Sequence, residues 1–495
     1  MQSATITANP LMSVGLIPPE LYSHFIEHLG ECIYDGIWAE DTEIESERGM
    51  RAFTLTALEN IGPNVIRWPG GCFADQYHWR DGVGDAKDRS KVQNIWWGGW
   101  EPNTFGTHEF IDFCRAVGST PYFCGNVGTG SVREMVEWVQ YCNYKDERLS
   151  VVRERRQNGS KDPFPVRYWG VGNENWGCGG SMTPEVYGSQ FRQYATYLNK
   201  LDTDIDLIAV GHTAEWNRRL MKILVEKGHG SQSPLPDHLS LHRYFSLERQ
   251  TFEYSEQEYY ELVAEAGLIE DDIVKADGLL KQYENPENPI GIIIDEWGVW
   301  DRGRAVPETG LRQRNTVRDA VIAASCLDVF NSWSNRVTMT NIAQTINVLQ
   351  CLIETDGPDA WTTPTYEVFR MYKDHVGNNS LKTIIDSPLL PIEGFVGGFP
   401  QALTSSCSLS EDGMQAVFTV TNRHATETMK CSLILQDKSM VRAAARALTG
   451  FSLEQENSPS ESIVNVSQHP VELKDGCVVI QLGPTSVAVI SVDLS

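Results

Sequence analysis

Short apolar, β-branched runs recur through the first three quarters of the chain, at 24–27, 64–68, 120–126, 166–171, 206–210, 238–242, 291–295 and 336–341. Between most of them lie stretches with helical spacing of apolar positions, among them 109–117, 132–143, 184–201 and 315–330. Near-continuous apolar strands alternating with amphipathic helices predict a parallel sheet covered on its outside. Eight such units predict an α/β fold, a (β/α)8 TIM barrel. A doubly wound open sheet is the alternative, and the absence of a GxGxxG after the first strand weakens it. Past residue 380 the period changes to two. Runs such as 415–422 and 477–482 alternate Val, Thr and Ser between polar turns, which predicts a C-terminal all-β sandwich of jelly-roll type. The opening run 4–8 also reads as a strand. The expected division is therefore 1–17 as a strand joining the sandwich, 18–379 as the barrel and 380–495 as the sandwich.

The tips of the predicted strands carry the candidate chemistry. Two of them, Val171-Gly172-Asn173-Glu174-Asn175-Trp176-Gly177 and Ile292-Ile293-Ile294-Asp295-Glu296-Trp297-Gly298, end in a carboxylate followed closely by Trp and Gly. In a barrel, strand C-termini converge on one mouth. Reading all eight tips gives Glu27, Arg67 with Cys72, Asn126, Asn173 with Glu174, His242 with Tyr244, Glu296, and Asn341 with Gln344. Acids and amides suit sugar hydroxyls, and aromatic faces suit sugar C–H surfaces. A facing pair of carboxylates is the basis of glycoside hydrolysis.

Composition narrows the partners. The 495 residues carry a net charge of −25, which argues against nucleic acid or an anionic membrane and suits a neutral substrate. There is no basic n-region with a following apolar core at the N-terminus and no apolar run long enough to span a bilayer. Eleven cysteines without CxxC spacing predict reduced thiols and a cytoplasmic protein rather than a disulfide framework. The acidic stretch 35–47 reads as a solvated face, and it lacks the spacing of an EF-hand calcium loop.

Taken in order, Phe25-Ile26-Glu27-His28-Leu29-Gly30, Arg67-Trp68-Pro69-Gly70-Gly71-Cys72-Phe73, Trp79-Arg80-Asp81-Gly82-Val83-Gly84, Phe105-Gly106-Thr107-His108-Glu109-Phe110, Gly172-Asn173-Glu174-Asn175-Trp176-Gly177, His242-Arg243-Tyr244, Asp295-Glu296-Trp297 and Asn341-Ile342-Ala343-Gln344 resemble glycoside hydrolase family 51, the α-L-arabinofuranosidases. The resemblance covers nearly the whole chain. It implies a retaining, exo-acting enzyme that removes terminal arabinofuranosyl groups from arabinan- or arabinoxylan-derived oligosaccharides. Family members acting on β-xylosides or β-glucans are the alternative. It implies Glu174 as acid/base, Glu296 as nucleophile, and Arg67 with Tyr244 aiming Glu296. Asn173 is expected on the 2-hydroxyl, Glu27, Cys72 and Gln344 on the other hydroxyls, Trp97 at the pocket rim and His242 near the acid/base. The like charge of Glu296 is expected to push the proton affinity of Glu174 upward. No cofactor and no metal are called for, and a homo-oligomer, often a hexamer, is implied. The stretch 95–102 carries more tryptophans than the family pattern, which bears on the leaving group.

Two rival readings come from other classes. His24-Phe25-Ile26-Glu27-His28 matches the H-x-x-E-H of inverted zinc peptidases, which demands a helix. Pro18-Pro19 before it and Gly30 after it speak against one. A non-catalytic sugar-binding protein would suit the tryptophans and the sandwich, with both glutamates serving as hydroxyl ligands.

Overall fold

The computed structural model describes residues 1–39, 43–201, 203–226, 235–246, 254–392 and 400–495. Residues 40–42, inside the acidic stretch, lie outside this set; Glu45 and Glu47 in the same stretch are exposed.

The chain opens with strand β1 (Gln2–Leu16). Eight strands then follow: β2 (Ser23–Phe25), β3 (Val65–Trp68), β4 (Thr120–Gly125), β5 (Tyr168–Val171), β6 (Asp206–Val210), β7 (His238–Phe245), β8 (Gly291–Val299) and β9 (Val337–Ile342). They close into a barrel in sequential order. The ladders from β2 to β7 run parallel, for example Phe25 beside Arg67 and Gly125 beside Val171. Sequential parallel neighbours need a crossover each, which the intervening helices supply. Ile292, Ile293 and Ile294 are all buried, as expected of a strand covered on both faces.

Two barrel strands run further than the sequence pattern predicts. β8 continues through Glu296 to Val299, and β7 continues through His242 to Phe245. Asp295 and Glu296 therefore sit within a strand, where the backbone ladder holds them. β2 is shorter than predicted and stops at Phe25, which leaves Glu27 in the turn beyond it.

The helices follow their patterns closely. Val132–Asn143 starts at Ser131, whose hydroxyl accepts from the Glu134 N–H, and buries Met135, Trp138, Val139 and Cys142. Val317–Ser332 differs from the amphipathic expectation. It is buried on nearly all sides, because it also packs on strands of the second sheet.

That sheet holds β1 with β10 (Asn379–Asp386), β11 (Leu403–Leu409), β12 (Gln415–Asn422), β13 (Met429–Leu435), β14 (Met440–Leu448), β15 (Ser467–His469), β16 (Val471–Lys474), β17 (Cys477–Leu482) and β18 (Ser486–Leu494). Its order is β15-β14-β18-β12-β11-β10-β1-β13-β17-β16. β14 also approaches β16 and β17, so the sheet curls into a sandwich around one core. Met429, Cys431, Leu433 and Leu435 of β13 point inward at every second position. β1 pairs antiparallel with β10 and parallel with β13.

Contact density separates two compact units. One comprises Met1–Ser23, Arg243–Asp271 and Trp297–Ser495; the other comprises His24–His242 and Asp272–Glu296. No helix among the described residues is long and apolar enough to cross a membrane.

Candidate active site

A buried charge cluster lies in the second unit, built from β3, β7, β8 and the turn after β5. Arg67 on β3 is its first cation. Its Nη1 donates to Glu296 Oε1 at 2.7 Å, its Nη2 donates to Asn173 Oδ1 at 2.5 Å, and its Nε lies 3.4 Å from Asp295 Oδ2. His242 on β7 is the second. Its Nε2 is 3.1 Å from Asp295 Oδ1, and its Nδ1 is 2.8 Å from Glu174 Oε1 and 3.5 Å from Glu296 Oε2. One ligand atom from each of Glu174, His242 and Glu296 falls within 4.8 Å of the others. The two glutamates thus share one imidazole.

Asp295 is the anchor beneath them. It accepts from Ser240 Oγ at 2.5 Å and from the Tyr122 hydroxyl at 2.8 Å as well. Burial opposes its charge, but Arg67 and His242 outweigh burial and hold its carboxyl well below the usual carboxylate range. Burial likewise opposes a charge on His242. The Glu296 and Asp295 charges, with hydrogen bonds to Asp295 and Glu174, overcome it and lift His242 to about 10. His242 is therefore an imidazolium at neutral pH. The same cation stands beside both glutamates.

A second group gathers on Glu27. Its Oε1 accepts from the Gly71 and Phe73 N–H groups and from Trp97 Nε1, each at 3.0 Å. Burial and the nearby charge of Glu296 push its carboxyl up to about 7. The close approach explains the glycine pair. A Cβ on Gly70 would lie 2.6 Å from Glu27 Cγ, and one on Gly71 would lie 2.7 Å from Glu296 Oε1.

Cys72 corrects the expectation of reduced thiols. It is joined to Cys178 in a disulfide. A bridged sulfur has no S–H to donate, so Cys72 can meet a hydroxyl only as a weak acceptor. The pairing spans 106 residues, and no local spacing announces it. The other nine cysteines are free, and eight of them are buried.

The zinc-peptidase motif dissolves. His24 lies within β2, where burial lowers its proton affinity to about 3. His28 Nε2 accepts from Trp68 Nε1 at 3.1 Å, so its Nδ1 carries the proton toward Glu101 Oε2 at 2.8 Å. Both of its nitrogens are engaged, and neither histidine stands on a helix.

Of the predicted residues, Glu27, Arg67, Cys72, Trp97, Asn173, Glu174, His242 and Glu296 belong to the second unit. Tyr244 and Gln344 belong to the first. There Tyr244 packs edge-on against Trp300, with centroids 5.3 Å apart, and Gln344 is buried after a cis peptide. Asn126 of the strand-tip set turns away from this cluster to cap its own loop, accepting from the Thr129 and Gly130 N–H groups. The sequence reading missed Asp295 as a hub, although an acid beside Glu296 in an apolar strand was a usable signal. It also missed Asp75 and Cys178, which carry none.

Residues 57–260 match the family described as Alpha-L-arabinofuranosidase 1 domain, and 295–486 match Alpha-L-arabinofuranosidase C-terminal domain. The chain is 36% identical to the intracellular exo-alpha-L-arabinofuranosidase of Bacteroides ovatus, over 92% of this chain and 89% of that one. The fold superposes on a family 51 arabinofuranosidase crystal structure from Xanthomonas axonopodis pv. citri with a TM-score of 0.92 and 30% identity, covering 100% of both chains. It also superposes on an arabinose complex of the alpha-L-arabinofuranosidase from Thermotoga maritima, with a TM-score of 0.89 and 29% identity, covering 99% of this chain and 100% of that one.

Proposed function

The chain belongs to the α-L-arabinofuranosidases of glycoside hydrolase family 51, and on that premise we propose an exo-acting, retaining enzyme with Glu174 as acid/base and Glu296 as nucleophile. Its substrates are terminal arabinofuranosyl groups of arabinan- and arabinoxylan-derived oligosaccharides. The observation that carries this reading is the shared imidazolium, which keeps the two carboxylates within 4.8 Å. Retaining enzymes hold their carboxyls about 5–5.5 Å apart, whereas inverting ones leave room for water between them.

In the first step Glu296, ionised and paired with Arg67, attacks the anomeric carbon. The bond to the leaving oxygen breaks as Glu174 delivers its proton there, leaving a glycosyl ester on Glu296. In the second step Glu174, now a carboxylate, takes a proton from water. The resulting oxygen displaces Glu296 with the original configuration restored. Asn173 Oδ1 is occupied by Arg67, and its amide nitrogen, 3.8 Å from Cys178 Sγ, is left as the donor for the sugar's 2-hydroxyl. Glu27 takes a further position around the furanose, Cys72 contributes a packing surface, and Trp97 forms the rim. Ile95, Trp96 and Trp100 are exposed beside Trp97 and suit the leaving-group side.

We assign 18–379 to the catalytic barrel and 380–495, with the first strand, to the sandwich. We further assign the protein to the cytoplasm as a homo-oligomer, a hexamer in the family's usual form. The Bacteroides ovatus relative's designation as intracellular supports the first point. The test is a panel of aryl α-L-arabinofuranoside, β-D-xyloside and β-D-glucoside. Hydrolysis of the arabinofuranoside is expected, with the α-anomer as first-formed product by proton NMR. Turnover of another glycoside without it, or the β-anomer first, overturns the reading.

A further inference from the structure

We propose that Asp75 is a positioning residue that holds Glu174 in its working orientation by gripping the chain on either side of it. Asp75 lies in the short turn Cys72–Gln76 after β3 and is buried, 3% exposed. Its Oδ2 accepts from the Asn173 N–H at 2.9 Å and from Asn175 Nδ2 at 3.2 Å. Its Oδ1 accepts from the N–H groups of Val127 at 2.7 Å and Gly128 at 2.6 Å. One carboxylate thus fastens the residues immediately before and after Glu174 to the loop that follows β4.

Glu174 needs that grip. Its φ is +40°, in the left-handed region that a non-glycine residue enters only at an energetic cost. Such a conformation persists only where its surroundings impose it. The Glu174 carbonyl accepts from the Gly177 and Gly179 N–H groups at 2.6 and 3.1 Å, and Asn175 Nδ2 also donates to the Gly179 carbonyl at 2.7 Å. The turn is therefore internally tight, and Asp75 ties it to the barrel. The Cys72–Cys178 bridge joins the same turn after β3 to the same turn after β5. Four N–H donors converge on Asp75. A carboxamide in its place would set an N–H against two of them, so Asp75→Asn disturbs this turn while leaving the carboxylate of Glu174 itself intact.

The inference rests on Glu174 being the acid/base, and the experiment separates the two. Turnover is compared on 2,4-dinitrophenyl α-L-arabinofuranoside, whose leaving group needs no proton, and on methyl α-L-arabinofuranoside, whose leaving group does. Azide is then added. It displaces Glu296 from the anomeric carbon without a general base, releasing arabinofuranosyl azide and the free carboxylate. Glu174→Ala is the reference and is expected to fail on the methyl glycoside and to be accelerated by azide on the activated one. Absence of both responses in Glu174→Ala overturns the acid/base assignment. Given that reference, Asp75→Asn is expected to lose roughly 10²-fold on the methyl glycoside, much less on the first step with the activated one, and to respond to azide. The ratio of the two activities is independent of how much folded enzyme is present. If Asp75→Asn does not fold, Asn175→Ala, which removes one of the four donors, decides by the same two readouts. Equal losses on both substrates without an azide response, or no loss at all, overturn the role of Asp75.

Discussion

Replacing Asp295 with Asn removes one negative charge from beneath His242 and changes almost no volume. In the native protein His242 binds its proton with an affinity raised from 6.5 to about 10. At about 1.4 kcal/mol for each tenfold change, this is roughly 5 kcal/mol of stability linked to one proton. The group's folded value lies above its unfolded value. Its contribution is therefore complete below pH 6.5 and is lost as pH rises through about 10. Asp295 is held well below the carboxylate range by Arg67 and His242, so it stays ionised across that window and adds no slope of its own. Asp295→Asn should cost roughly 3–5 kcal/mol at neutral pH, as removing one partner of a buried pair does. The difference from the native protein should shrink steadily toward pH 10, where native His242 is half deprotonated. Urea unfolding followed by tryptophan fluorescence across this window gives both curves. A difference that stays constant from pH 6.5 to pH 10 would refute the picture of Asp295 and the glutamates jointly holding a proton on His242.

Three further outcomes follow from neighbouring contacts. Trp97→Phe deletes one of the three donors on Glu27 Oε1, a charge-assisted contact of about 1.5–3 kcal/mol, so kcat/KM on an aryl arabinofuranoside should fall roughly 10- to 100-fold. Arg67→Met leaves Asp295 and Glu296 without their guanidinium; thermal unfolding should show a loss of about 3–5 kcal/mol, with kcat falling in the material that remains folded. Cys178→Ser opens a covalent loop spanning 106 residues and should lower stability by up to about 5 kcal/mol, read by urea unfolding without reductant; an unchanged midpoint would mean the bridge is not formed in solution.

The barrel was legible because its strands are buried on both faces and therefore spell themselves as apolar runs. Ile292-Ile293-Ile294 is the plainest case. The alternation in Met429–Leu435 marks the sandwich in the same way, through one buried face. Strand ends were less legible. β8 runs on past Asp295 because its acids are paired inside the barrel, and a local reading treats an acid as a strand's end. What joins the site together is non-local. Asp75 meets Val127 and Asn173, residues 52 and 98 positions away, and Cys72 meets Cys178. No periodicity within a window of chain encodes such pairings. The H-x-x-E-H segment shows the converse error, since a spacing that suits a helix has no such meaning in a strand and turn.

The shared imidazole also fixes how charge moves during turnover. On the proposed assignment, the resting cluster holds Arg67 and His242 as cations, Asp295 and Glu296 as anions, and a neutral Glu174. When Glu296 becomes an ester, Glu174 becomes the anion, so the total does not change. The negative charge has only passed from one neighbour of His242 Nδ1 to another, between oxygens 3.5 and 2.8 Å from it. The cation that steadies the nucleophile before the first step already stands beside the base needed for the second. Neither half of the cycle then requires a counter-ion to move, or water to enter the barrel to screen a new charge.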